Sequence, residues 1–138
     1  MTALTGIRVI DLTGDSGRFA TKLLTEFGAD VVRVTNQGSP GQSMRDENGG
    51  VLDWWYDGGK ESHIIDLTTE LGRQTYRTLA KEADLIVETT DPGELATLGI
   101  DHTDLIKDTP QLVQVSITPF GRTGPRATWV GSDLTAAA

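Results

Sequence analysis

The sequence predicts an α/β protein: an open, mostly parallel sheet with helices on both faces. Short runs rich in β-branched residues alternate with stretches whose apolar residues recur at helical spacing. The strand-like runs end in clusters of Gly, Pro, Thr and Asp, the chemistry of tight turns. A third sign is the compactness of residues 7–34, which read as one complete β-α-β unit with a right-handed crossover. At 138 residues the chain has the length of one ordinary domain with a core of its own.

The elements follow in order. "IRVIDL" (7–12) is the first strand, and "FATKLLTEFG" (19–28) is a helix closed by Gly28. "ADVVRV" (29–34) is the second strand. Residues 36–61 hold many glycines and no steady period, so they read as a long loop of the kind that is functional or covered by a partner. "SHIIDL" (62–67) is the third strand, and 68–83 form a helix with Leu71, Tyr76 and Leu79 on one face. "DLIVE" (84–88) is the fourth strand. Brief helices near 93–99 and 102–109 and a fifth strand at 111–117 complete the alternation.

In such sheets ligands sit beyond the carboxyl ends of the strands, where helix N-termini present free N–H groups. Three Gly-containing loops fall there: "TGDSGR" after the first strand, "ETTDPGEL" after the fourth and "TPFGRTGP" after the fifth. Together they make a cradle for an extended, phosphate-bearing molecule. Neither a dinucleotide fingerprint nor a P-loop follows the first strand, which excludes the two commonest nucleotide sites. A net charge of −8 disfavours nucleic acid and anionic membranes as partners. There is no cysteine, and no apolar run approaches the roughly 20 residues of a membrane span. The N-terminus lacks the features of a signal peptide, so a cytoplasmic location is expected. His63 and His102 stand far apart without ligand spacing, and no metal is expected.

Four stretches, "LTGIRVIDLTGDSGRFATKLLTEFGADVVRV", "GKESHIIDL", "ADLIVETTDPGELATLGID" and "LVQVSITPFGRTGP", resemble in order and spacing the N-terminal part of the class III CoA-transferases, the CaiB/BaiF family. The resemblance implies that residues 1–138 are the Rossmann-like CoA-binding part of a larger, interlocked homodimeric enzyme. Such an enzyme moves CoA between an acyl-CoA and a carboxylic acid through an aspartyl anhydride. Coenzyme A or acyl-CoA is then a substrate, and no tightly bound cofactor is implied. No residue here matches the family's Asp nucleophile, so the chain reads as a piece without catalytic residues and is expected to be inactive alone. The CoA-binding positions carried over are Ser16, Gly17, Gly59, Lys60, Thr89, Thr90 and Gly93.

Several residues have a second reading. Asp15 and Ser16 read equally as helix caps, and Lys60 as a solvated loop cation. Trp54, Trp55 and Tyr56 read as a loop anchored in the core or a dimer surface sooner than as a base-stacking platform. Glu61, Thr89, Thr90, Thr97 and Asn36–Gln37 stand where the family favours Arg, Asn or other basic or aromatic residues, leaving Arg33 and Arg45 as replacement cations. These departures keep open a non-catalytic, degenerate copy. Ser132 before Asp133, in place of a His, argues against the racemase branch.

Overall fold

The computed structural model describes residues 2–36, 50–132 and 134. In chain order the elements are β1 (Arg8–Leu12), α1 (Arg18–Glu26), β2 (Asp30–Asn36), α2 (Val51–Asp57) and β3 (Glu61–Ile65). They continue as α3 (Glu70–Lys81), β4 (Leu85–Glu88), α4 (Glu94–Thr97), α5 (His102–Leu105) and β5 (Val113–Ser116). The strands form one sheet in the order β3-β2-β1-β4-β5, with every neighbouring pair parallel. The chain steps outward from β1 to β2 and β3, then returns to the other side of β1 for β4 and β5. The strand order therefore reverses between β1 and β4, the place where open α/β sheets leave a crevice.

Because strand side chains alternate, the central strands feed two cores. Ile10, Leu12, Val32, Val34 and Ile86 pack on one face with Tyr76 and Ala80 of α3 and with Leu95 and Leu105 from α4 and α5. Val9, Val31 and Val87 pack on the other with Ala29 and Leu24. Asp11 and Arg33 continue this second set along β1 and β2, so the face under α1 turns polar toward the strand ends.

Two expectations need correction, on α3 and at residues 51–57, and α1 shows a related inversion. On α3 the buried residues are Gly72, Tyr76 and Ala80, while Leu71 is 75% exposed. Gly72 fixes that rotation, because a Cβ there would stand 1.9 Å from the Asp66 carbonyl oxygen. On α1 the buried residues are Arg18 and Thr21, and Phe19, Leu23 and Phe27 are exposed. Thr21 turns inward because the buried Asp11 carboxylate lies beneath it, whereas Arg18 is covered by residues 51–57. Finally, residues 51–57 form a helix. It buries none of its residues and is held on α1 by side chains. Arg18 Nη1 donates to Asp53 at 2.7 Å and its Nη2 to Asp57 at 2.8 Å, while Trp55 stacks on Phe19 with ring centroids 6.3 Å apart. Trp55 and Tyr56 thus lie on α1 and outside the core, and Trp54 is exposed. Arg45 and Gln37 lie outside the described residues.

The Tyr76 hydroxyl is buried without a hydrogen-bond partner among the described residues. Burial, reinforced by the nearby Glu88 and Asp101 carboxylates, pushes the phenol pKa well above its ordinary value. An unsatisfied buried hydroxyl contributes nothing favourable, so Tyr76→Phe is expected to leave the unfolding free energy unchanged or raise it by about 1 kcal/mol. Urea denaturation checks this. A loss above about 1 kcal/mol would mean that the hydroxyl has a partner.

Candidate functional site

Asp11, the next-to-last residue of β1, is a fully buried carboxylate with five short polar contacts. Its Oδ1 accepts from the Thr13 N–H at 3.0 Å, the Thr13 hydroxyl at 2.6 Å and Arg33 Nη1 at 2.9 Å. Its Oδ2 accepts from the Thr21 hydroxyl at 2.7 Å and Lys60 Nζ at 2.8 Å. One side chain thereby joins β1, α1, β2 and the entry to β3. Burial alone would raise the Asp11 pKa, but the Arg33 and Lys60 charges, with hydrogen bonds from Lys60 and Thr13, outweigh it and hold the carboxyl below its ordinary range.

The three Gly-containing loops stand side by side beyond β1, β4 and β5, and hydrogen bonds link them. The Gly14 N–H donates to Thr89 Oγ1 at 2.6 Å, tying the first loop to the loop after β4 across the point where strand order reverses. Thr90 donates its N–H to Glu88 Oε2 at 2.7 Å and its hydroxyl to the same oxygen. The other oxygen, Glu88 Oε1, accepts from Arg122 Nη1 at 3.2 Å, which ties in the loop after β5. Arg122 also bonds Ser116 Oγ and Asp101 Oδ1, both at 3.0 Å. Between these loops lies a cleft of about 380 Å³, walled by Ser16, the Thr89–Pro92 turn, Ile117–Pro119 and residues 127–131. Among the described residues its wall carries one carboxylate, Asp91, and no cation.

Ser16, Thr89 and Thr90 therefore come together, while the other sequence-predicted residues do not join them in that cleft. Gly93, at φ +90°, starts α4 and lines a neighbouring hollow with Asp101, His102 and Arg122. Gly17 is buried, its N–H donates to the Gly14 carbonyl at 3.0 Å, and a Cβ there would press to 2.7–2.8 Å against Thr13 and Thr89. Its smallness serves loop packing. Gly17 is also the N-cap of α1, with no side-chain cap bond, so the cap reading of Asp15 and Ser16 is corrected. Gly59 and Lys60 lie where the chain enters β3, at the opposite end of that strand from the strand-end loops. Lys60 is no solvated cation: its side chain is fully buried against Asp11 and Thr21, and only its backbone meets solvent.

Arg33 is likewise buried, bonded to Asp11 and to the Thr13 carbonyl, so it is neither a surface charge nor a free phosphate ligand. His63 meets Glu61 at 2.8 Å and His102 meets the Leu112 carbonyl at 3.0 Å. No group of three or more metal-ligating side chains occurs among the described residues. Sequence reasoning missed Asp11, Glu88 and Arg122. For the two carboxylates the available signal was position: an acid inside or ending an otherwise apolar strand needs a partner, and Asp11 and Glu88 each have an Arg.

The chain matches the family model described as CoA-transferase family III over residues 4–138. It is 42% identical over 139 residues to the BbsE subunit of succinyl-CoA:(R)-benzylsuccinate CoA-transferase from Thauera aromatica, covering 95% of this chain and 34% of the relative. It is 34% identical over 142 residues to the succinate–glutarate CoA-transferase of Agrobacterium fabrum, covering 94% of this chain and 36% of that one. The crystal structure of a CaiB/BaiF family protein from Brucella suis superposes with a TM-score of 0.86 at 31% identity, covering 97% of this chain and 38% of that chain. The chain spans about a third of the length of the curated relatives it matches.

The Asp11 cluster generates a stability prediction. Asp11→Asn leaves Arg33 and Lys60 with only the more distant Asp57 carboxylate, at 3.9 and 3.6 Å, and is expected to cost about 3 kcal/mol. The folded-state pKa is depressed, so this contribution is present above the unfolded value of about 3.9 and is lost as pH falls through the folded one. Wild-type stability should accordingly decline below about pH 4, with this component missing from the variant. Denaturation across pH measures both. A variant within about 1 kcal/mol of wild type at neutral pH would show that the cluster repacks without its carboxylate.

Proposed function

The chain belongs to CoA-transferase family III, and from that membership we propose that residues 1–138 supply the CoA-binding edge of an enzyme transferring CoA from an acyl-CoA to a carboxylic acid. The observation that carries this reading is the cleft at the point where strand order reverses, walled by three bonded loops. In that cleft Ser16, Thr89 and Thr90 lie along the uncharged part of CoA. Gly93 and the exposed backbone at Gly59 and Lys60 lie along its more distant parts, and Gly17 acts through the loop it allows to pack.

The proposed chemistry begins when a carboxylate nucleophile attacks the thioester carbonyl. The CoA thiolate leaves, and an acyl-aspartyl anhydride forms. The thiolate then attacks the aspartyl carbonyl to give an aspartyl-CoA thioester and free the donor acid, and the acceptor acid reverses the two steps. No Asp of residues 1–138 stands at the nucleophile position, so these residues alone are expected to exchange no acyl groups. A homodimeric, cytoplasmic enzyme is part of the same proposal. One observation favours a second reading, a non-catalytic copy that keeps the fold: Arg33 and Lys60 are both engaged by Asp11, and no cation among the described residues walls the cleft.

Calorimetric titration with CoA tests the assignment. Binding is expected to change by less than about threefold between roughly 50 and 300 mM salt, because few fixed charges face the phosphates. Glu61→Arg with Thr97→Arg places cations at two exposed positions and should tighten binding about tenfold while steepening its salt dependence. Tight, steeply salt-dependent binding by the unmodified chain would refute the neutral-cleft assignment. Absence of binding in both forms would favour the non-catalytic copy.

A further inference from the structure

The cleft assignment leaves unexplained why a buried Glu and a half-buried Arg stand directly behind its walls. Glu88 is 1% exposed and divides its two oxygens between two loops. Oε2 takes the Thr90 N–H and hydroxyl, which fold the turn after β4; Oε1 takes Arg122, from the loop after β5. Arg122 is in turn fixed by Ser116 at the end of β5 and by Asp101 at the start of α5. The far wall of the cleft is made by Ile117–Pro119 and residues 127–131, and Arg122 lies in the chain between those two stretches. Neither Glu88 nor Arg122 lines the cleft itself. The pair therefore sets the separation of two walls without meeting what lies between them.

Resting on the CoA-transferase reading above, we infer that Arg122, held by Glu88 and Asp101, is a positioning residue: it fixes the loop after β5 against the turn after β4 and so sets the width of the cleft that receives CoA. A buried carboxylate makes the arrangement specific. Glu88 cannot drift from Arg122 without leaving a buried charge unpaired, so the two walls are held at one spacing. Pre-set spacing raises affinity because ordering of the loops is complete before the ligand arrives.

The experiment separates positioning from stability. Arg122→Met alone is expected to lower both melting temperature and CoA affinity, since it strands the Glu88 charge. Adding Glu88→Gln removes that charge while keeping an acceptor for Thr90. The double variant should therefore regain most of the wild-type melting temperature yet bind CoA about tenfold more weakly. Arg122→Lys, which keeps the charge and loses the fork, should fall between them. Hydrogen exchange of the Thr90 and Ile117 amides, read without ligand, should accelerate in Arg122→Met. Wild-type CoA affinity in the double variant, or unchanged Thr90 exchange in Arg122→Met, overturns the inference. If the wild-type protein binds no CoA, the functional reading fails and takes the ligand of this one with it, and the exchange data still decide whether Arg122 holds the wall.

Discussion

The Asp11 carboxylate organises one whole side of the molecule. Its two oxygens bind a β1 turn, a helix hydroxyl, a β2 guanidinium and the ammonium that opens β3. Taking three charges out of water is expensive, and their mutual attraction offsets that only when every lone pair is used, as happens here. The arrangement therefore tolerates no missing member. It also explains why α1 presents Thr21 to the sheet and leaves Phe19 and Leu23 outside. An apolar helix face laid over Asp11 would have left the carboxylate without the Thr21 hydroxyl.

That inversion marks where the sequence was readable and where it was not. The order of strands and helices followed from period and punctuation, because each β-branched run and each turn cluster acts locally. The parallel sheet followed from the same alternation. Which face of a helix points inward is a tertiary matter, decided by what lies beneath it. A helical spacing of Phe19, Leu23 and Phe27 cannot disclose a buried carboxylate eight residues earlier. The same holds for Leu71, displaced outward because Gly72 must approach the Asp66 carbonyl. The helix Val51–Asp57 was unreadable for a related reason: it has no buried face of its own and depends on Arg18 and Phe19 of a different element.

The candidate site was legible to a similar depth. The three loops were recognisable, since turn chemistry after a parallel strand places a loop at the ligand edge wherever the strand sits. Strand order was needed to see that β1 and β4 are neighbours, and with it the Gly14 to Thr89 bond that closes the cleft on one side. Lys60 shows the limit most sharply. Its position in a glycine-rich loop suggests a free cation, yet a four-carbon stem lets the ammonium reach Asp11 from the entry to β3. Burial of a long cation depends on where an unpaired anion waits, which local sequence does not encode.

The same electrostatics bear on how an anionic ligand is held. With a net charge of −8, the chain repels a phosphate-bearing molecule at long range, and screening by salt weakens that repulsion. A family member with cations in its cleft would counter the repulsion locally, and salt would then weaken the contact. Here Arg33 and Lys60 are committed to Asp11, and Arg122 to Glu88 and Asp101. Each cation stabilises a loop in place of a phosphate. On the proposed reading, selection of ligand comes from the shape of the cleft and from backbone groups at fixed spacing, and the rigidity of the loops sets affinity. The buried pairs that withdraw charge from the ligand are the same pairs that supply that rigidity.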